Sequence, residues 1–181
     1  MRPRTMVDKE VSLAPITIET ARMFPKWVDD QEVAQFLAHY HHIPDVTQEE
    51  EWFKKVIESN SDYVWEIRYQ DKAVGISGIH QIDWINGYAI TGTIIGDKTV
   101  WKQGIGKKSM ILRAQFAFGD LPIRMLETHV FTANVASMKA TDRCGYQTVG
   151  PIPGRYFRQG KEWEVMLKIL TRQRFHQFHS G

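Results

Sequence analysis

The stretch Thr93-Ile94-Ile95-Gly96-Asp97-Lys98-Thr99-Val100-Trp101-Lys102-Gln103-Gly104-Ile105-Gly106-Lys107-Lys108 decides how the rest of the chain is read. A β-branched run ends, a short loop follows, and two glycines separated by one residue open a helix. Glycines at such a point let the backbone approach a ligand closely and take conformations that a Cβ blocks. A helix start offers unpaired N–H groups and the positive end of the helix dipole, which suits phosphate. Lys102, Lys107 and Lys108 surround it with positive charge. Two familiar phosphate loops do not fit. A P-loop needs a glycine where Trp101 stands, and Lys108 breaks its closing triplet. A dinucleotide fingerprint needs a third glycine where Ser109 stands. Taken alone, Gly-x-Gly is also what a plain tight turn before a helix looks like.

Upstream of this stretch, Tyr63, Trp65, Ile67 and Tyr69 alternate with Val64, Glu66 and Arg68, the period of a strand with unlike faces. A turn at Asp71-Lys72, a strand from Ala73 to Asp83, a turn at Asn86-Gly87 and a strand from Tyr88 to Gly96 then give three antiparallel strands. Earlier still, Val11 to Pro15 reads as a strand and Thr17 to Leu37 as helical, with Pro25 expected to bend or divide the helix. Thr47-Gln48-Glu49-Glu50 reads as a capping box ahead of the apolar stripe Trp52, Phe53, Val56 and Ile57. Downstream, Gly104 opens a helix through Leu112, Phe116 and Phe118. Arg124 to Phe131 is a strand, Val135 to Arg143 a helix ended by Gly145, and Gln147 to Ile152 and Glu162 to Leu170 are strands. The order describes an α/β (α+β) domain, a mixed sheet with helices on both faces. We expect one domain over 1–181, with a core over about 11–170 and a frayed tail over 171–181.

A chain of 181 residues suits one domain. Its net charge of +2 is too small for a dedicated nucleic-acid face. The lone Cys144 excludes a disulfide framework and paired-thiol chemistry. His41-His42 stands alone, so no metal site is expected. The start Met1-Arg2-Pro3-Arg4 has no apolar run behind it, and no segment nears the roughly 20 apolar residues that span a bilayer. The expectation is a cytoplasmic protein without membrane or nucleic-acid partners. The tail Arg172-Gln173-Arg174-Phe175-His176 mixes basic and aromatic residues and is open to a weak RNA or homodimer contact or, in the favoured reading, to plain solvation.

In this order and spacing the motifs resemble the GNAT acetyltransferases, especially the ribosomal-protein N-acetyltransferase branch. The family's coenzyme motif is Gln/Arg-x-x-Gly-x-Gly/Ala. Gly104 and Gly106 match it, while Trp101 replaces the first residue, a change expected to matter little. Trp27 with Asp30-Gln31-Glu32-Val33, Ile94-Ile95-Gly96-Asp97-Lys98, Asn134 with Ser137, and Gly145-Tyr146 complete a resemblance that runs from Val11 to Leu170. It implies a single, mostly antiparallel sheet of about seven strands with a splayed strand pair at the cofactor. It implies acetyl-CoA (coenzyme A) as cofactor and N-acetylation of a primary amine by direct attack. The acceptor would be a protein N-terminus, a polyamine, an amino sugar or an aminoglycoside. Ile94, Ile95 and Gly96 would bond pantetheine through their main chain. The backbone of Lys102, Gln103, Gly104, Ile105, Gly106 and Lys107 would cradle the pyrophosphate. Asn134 would contact the cofactor or, as asparagine favours, cap its helix.

Many relatives place a tyrosine acid where this chain has Thr141. Ser137 is the residue the resemblance offers for the coenzyme sulfur. For the base, Glu127 and His129 share one strand face with Met125 and Phe131, and an imidazole suits proton acceptance near neutrality. Glu127 would orient His129 or act itself; His80 is a third candidate. Tyr40, His80 and Tyr156, with His41, His42 and Phe157, would form the substrate rim. Asp29, Asp30, Glu32, Glu49, Glu50 and Glu51 lie where an acidic funnel for a polycation would form. A coenzyme-A-binding sensor or partner-binding module with a degenerate catalytic face is the alternative, motivated by Thr141. A nucleotide-binding protein is a third reading.

Overall fold

A computed structural model describes residues 2–37 and 43–179. The chain begins with strands β1 (Met6–Asp8) and β2 (Val11–Pro15), then helices α1 (Ile18–Val28), α2 (Gln31–Ala34) and α3 (Val46–Glu58). Three strands follow: β3 (Tyr63–Tyr69), β4 (Lys72–Asp83) and β5 (Tyr88–Ile95). Helix α4 (Ile105–Gly119) leads to β6 (Met125–Phe131), and α5 (Val135–Arg143) to β7 (Gln147–Pro151). A small hairpin, β8 (Tyr156–Arg158) and β9 (Lys161–Trp163), precedes β10 (Val165–Thr171) and α6 (Arg172–His179). Eight strands form one sheet in the order β1-β2-β3-β4-β5-β6-β10-β7, and β8 pairs only with β9. Every neighbouring pair in the large sheet is antiparallel except β5 with β6.

Helix α4 buries residues around its whole circumference, among them Ile105, Met110, Leu112, Phe116 and Phe118. A helix that is apolar all round must be covered on both sides. The sheet covers one side with Trp65, Ile79 and Leu126, and Cys144 and Phe175 close the other. Phe116 meets Trp65 edge-on at 5.1 Å. Arg113, itself buried, donates from Nη1 to Ser77 Oγ, Gly92 O and Thr93 Oγ1 at 3.1, 2.6 and 2.7 Å, tying α4 to β4 and β5. On the opposite face Trp27, Val33 and Val56 pack over Val64 and Ile76.

Several sequence expectations change. Pro25 lies inside α1, and the helix breaks instead at Asp29–Asp30, where Asp30 caps α2 by accepting from Glu32 N at 2.9 Å. One missing N–H costs less than exposing Trp27 and Val28, which α1 buries past the proline. The capping box of α3 belongs to Asp45 and Gln48, at 2.8 and 2.9 Å, rather than to Thr47 and Glu50. The turn before β4 is Gln70-Asp71, both at positive φ. The strand expected from Glu162 to Leu170 is broken at Glu164 into β9, which pairs with the unexpected β8, and β10, and β1 brings the large sheet to eight strands where about seven were expected. The tail is not frayed over 172–179. Phe175 is buried against Phe118 at 5.5 Å, and Arg174 Nε donates to Gly145 O at 2.6 Å.

Candidate active site

Strand β5 is paired along its whole length on one edge and only at its start on the other. With β4 it pairs from Tyr88 to Ile95; with β6 it pairs at Tyr88, Ala89 and Ile90 alone. Past Ile90, hydroxyls replace the amide ladder. Thr91 Oγ1 donates to Glu127 O at 3.0 Å and Thr128 Oγ1 to Thr91 O at 3.2 Å. A side-chain hydroxyl holds two strands farther apart than a backbone amide does, so the sheet splits here. Gly96 N donates to Val74 O at 2.8 Å. By alternation Gly92 and Ile94 turn their main chain to β4, while Thr93 and Ile95 face the split. This corrects two expected contacts: the Gly96 N–H is used by the fold, and the Ile94 main chain faces away. Glycine at 96 serves packing, since a Cβ there would collide with the Trp27 indole. Trp101 also has a task the sequence reading denied it. Its Nε1 donates to Ile95 O at 2.9 Å and pins the loop to the end of β5.

The loop then turns through positive φ at Lys102 and Gly104. Gly104 begins α4 without a side-chain cap, and Lys108 N to Gly104 O at 3.0 Å is the first helical bond. The amides of Ile105, Gly106 and Lys107 therefore have no partner among the described residues. Helices α1, α2, α3 and α5 are all capped by side chains, from Thr17, Asp30, Asp45 and Asn134. A Cβ at Gly104 would meet nothing within 4 Å, and one at Gly106 only Ile95 Cγ1 at 3.9 Å. The positive φ accounts for glycine at 104, whereas nothing in the fold demands it at 106, where the bare backbone leaves room for a ligand to approach closely. Lys102 and Lys107 have no ion-pair partner among the described residues. Gln103 turns its amide back to Thr99 O at 3.4 Å.

At the start of α5, Asn134 Oδ1 accepts from Ser137 N at 3.0 Å, so its oxygen is spent as a cap. The Ser137 hydroxyl has no partner among the described residues. Thr141, at the tyrosine position, is buried: its hydroxyl lies 2.9 Å from Ser137 O and Met138 O and accepts from Lys168 Nζ at 2.9 Å. Lys168 is fully buried and completes the network on Asp142 at 2.6 Å. Burial pushes the Cys144 thiol up to about 11, which leaves it unreactive.

The other face of the split carries the titratable groups. Register places His80, Ile90 and Glu127 in one row across β4, β5 and β6, with Gly78 and Gly92 paired in the next. His129 Nε2 lies 2.8 Å from Glu127 Oε1. His80 Nδ1 lies 3.1 Å from Asp62 Oδ1, and its ring crosses Gly78, where any Cβ would collide with it. Asp62 was missed by the sequence reading. Local pattern says nothing of it, yet the tight turn at 70–71 fixes a register with Tyr63 opposite Ile79, which brings Asp62 beside His80. The bond to His80, followed by that to Ser59, holds the Asp62 carboxyl down to about 2.

At the rim Tyr156 packs on Phe131 at 4.9 Å, and the Arg158 guanidinium lies over both rings. Arg158 also donates to Gln35 O and Leu37 O at 3.0 and 2.6 Å, tying this hairpin to the end of α2. A cavity of about 250 Å³ beside it is lined by Gln31, Glu32, Gln35, Arg158, Gln159 and Trp163. Tyr40, His41 and His42 lie outside the described residues. Four of the six acids of the expected funnel are spent within the fold, while Asp29 and Glu51 stay exposed. Lys98 holds Asp30 and Glu32 at 2.6 Å, Arg22 holds Glu50 at 2.7 Å, and Glu49 turns inward, where burial pushes its carboxyl up to about 7. Among the described residues no group of three His, Cys, Asp or Glu could hold a metal, and no helix is long and apolar enough to cross a membrane.

Residues 10–147 match the acetyltransferase (GNAT) domain family, and this chain belongs to it. Among solved structures it is similar to a spermidine N-acetyltransferase from Vibrio cholerae in complex with CoA and spermine, at TM-score 0.84 and 15% identity over 93% of this chain and 99% of that one. It is similar to RimL, a ribosomal L7/L12 alpha-N-protein acetyltransferase in complex with coenzyme A, at TM-score 0.82 and 16% identity over 91% and 96%. The microcin C7 self-immunity acetyltransferase MccE, in complex with acetyl-CoA and AMP, aligns at TM-score 0.78 and 16% identity over 91% and 93%. At such identities the likeness is one of fold. No curated protein matches the sequence.

Proposed function

We propose that this chain transfers an acetyl group from acetyl-CoA to a primary amine by direct attack, with both substrates bound together. The observation that carries this reading is the split between β5 and β6 beside the uncapped start of α4. The residues present fit the cofactor. The amides of Ile105, Gly106 and Lys107, with Lys102 nearby, hold the pyrophosphate. The main-chain edge of Thr93 and the Ile95 N–H would bond the pantetheine amides, and Asn134, whose Oδ1 caps α5, would keep its Nδ2 for the cofactor. When bound, acetyl-CoA supplies an activated carbonyl and a good leaving group. The amine enters on the face that carries His80, Glu127 and His129, where an imidazole strips it of a proton. Ser137 gives its free hydroxyl to the departing sulfur, a task Thr141 is too enclosed to perform.

The known acceptors of similar folds include spermine and a ribosomal protein. Here four of the six acids that would gather a polycation are paired or buried, which leaves Asp29 and Glu51, both exposed. That favours an acceptor with a single cationic nitrogen, a peptide N-terminus or a small monoamine. Thiol release from acetyl-CoA against a panel of peptides, monoamines, amino sugars and polyamines tests this, with turnover expected to be greatest on the first two. The enclosed Thr141 also supports a second reading, a coenzyme-A sensor. Tight coenzyme A binding with no turnover on any amine would establish that one instead.

A further inference from the structure

We propose that His80 and Asp62 form the proton-accepting dyad on the acceptor face: His80 Nε2 takes the proton of the attacking amine above Gly92, and Asp62 is the positioning residue. The proposal deepens the acetyltransfer reading and rests on it.

Two imidazole–carboxylate pairs face this side of the sheet, and they are wired oppositely. His129 commits Nε2, the nitrogen at the tip of its ring, to Glu127 Oε1 at 2.8 Å. What remains is Nδ1, beside its own Cβ and strand. His80 commits the inner Nδ1 to Asp62 Oδ1 at 3.1 Å, which leaves the outer Nε2. An ionised carboxylate only accepts, so the N–H of neutral His80 sits on Nδ1 and the lone pair on Nε2. Asp62 is itself anchored: Ser59 Oγ donates to its Oδ2 at 2.5 Å, and Gln81 N donates to Oδ1 at 3.4 Å. The carboxylate is fixed before it fixes the ring.

The ring then lies where the reaction needs it. It crosses Gly78, and Gly78 pairs with Gly92 on the next strand, about 4.8 Å away by strand spacing. Gly92 borders the split, is exposed, and has nothing within 4 Å of the position a Cβ would take. With Gly78 covered by its ring, His80 looks onto the bare backbone of Gly92, which lies between it and the open edge of β5. On the other elements facing this backbone the charged groups are Glu127 and His129 on β6, paired with each other, and Glu66 on β3, held by Arg68, Thr17 and Thr20. On α3, Lys54, Lys55 and Glu58 point to solvent, Glu50 pairs with Arg22 at 2.7 Å, and Glu49 turns inward, where burial pushes its carboxyl up to about 7.

The protons balance. The acceptor arrives as an ammonium and gives one proton to His80 Nε2, which frees the lone pair that forms the N–C bond as the C–S bond breaks. The second proton, shed by the new amide nitrogen, goes to the departing sulfur with help from Ser137. The first returns to solvent from the imidazolium, with Asp62 stabilising the charge meanwhile.

The test needs one readout without cofactor and one with it. In the free protein, ¹⁵N spectra of the histidine side chains should show His80 as the Nδ1–H tautomer, shifted towards Nε2–H in Asp62→Asn, because an amide NH₂ donates to Nδ1. With acetyl-CoA and the best amine of the panel, His80→Gln and Asp62→Asn should each lower kcat/KM by about 10²-fold. In His80→Gln the acid limb of the pH profile should disappear, with coenzyme affinity kept. Gly92→Ala should raise the acceptor KM with coenzyme Kd and Tm kept, a check that does not depend on the dyad variants folding. A larger loss in His129→Gln than in His80→Gln, or an unchanged His80 tautomer in Asp62→Asn, overturns the proposal and leaves acetyl transfer standing. Absence of turnover by the unmutated protein on every amine removes both.

Discussion

Helices α4 and α5 both begin beside the split in the sheet, and they begin differently. Asn134 closes the first turn of α5 on Ser137 N, whereas Gly104 leaves the first turn of α4 open over three amides. A side-chain cap is worth about 1 kcal/mol against alanine but only about a few tenths against glycine, so the fold leaves the turn open at Gly104 at small cost. An anion at the same place offsets that cost. A helix start becomes a ligand site where the chain declines to close it, and the closed neighbour shows that this fold closes its helices elsewhere.

The sharpest way to break this contrast is Gly106→Val. The nearest protein atom to a Cβ there is Ile95 Cγ1 at 3.9 Å, and a helix accepts valine at least as well as glycine. Tm should hold within a few degrees while coenzyme affinity, by calorimetry, falls about 100-fold or more. A collapse of Tm would make the glycine a requirement of the fold, and the contrast would vanish. Ser137→Ala should come next. Its hydroxyl is free whereas its amide is not, so kcat should fall by about 10- to 30-fold with little change in coenzyme Kd, read by single-turnover and binding measurements. Equal losses in both would reassign Ser137 to binding. Asn134→Ala should have the smallest effect. Thermal or urea unfolding should register a loss of about 1 kcal/mol, the value of a cap, and coenzyme affinity should weaken only a few-fold. A 100-fold loss of affinity would mean that α5 is a ligand site as much as α4.

Much of this was legible in local chemistry. Helix α5 runs from Val135 to Arg143 as its pattern predicts, and the loop opens α4 where its glycines say. Both signals sit within a few residues of the structure they report. What escaped the sequence depends on distant partners. Asp62 gains meaning only from the register of a hairpin that ends at His80. The basic, aromatic tail looked solvated because nothing nearby shows that Phe118 waits for Phe175. Two capping boxes two residues apart are equally well formed in letters, and packing selected Asp45. Main-chain direction along β5 was also hidden, because residue identity does not say which edge of a strand an amide faces.

The hydroxyls of Thr91 and Thr128 keep the sheet parted without any ligand, and that should leave an imprint on exchange with deuterated water. Along the second half of β5, amides at Gly92 and Ile94 bond to β4 and should exchange slowly, while those at Thr93 and Ile95 look into the opening and should exchange fast. A single strand would thus carry an every-other-residue rhythm of protection, levelled once a cofactor arm occupies the cleft.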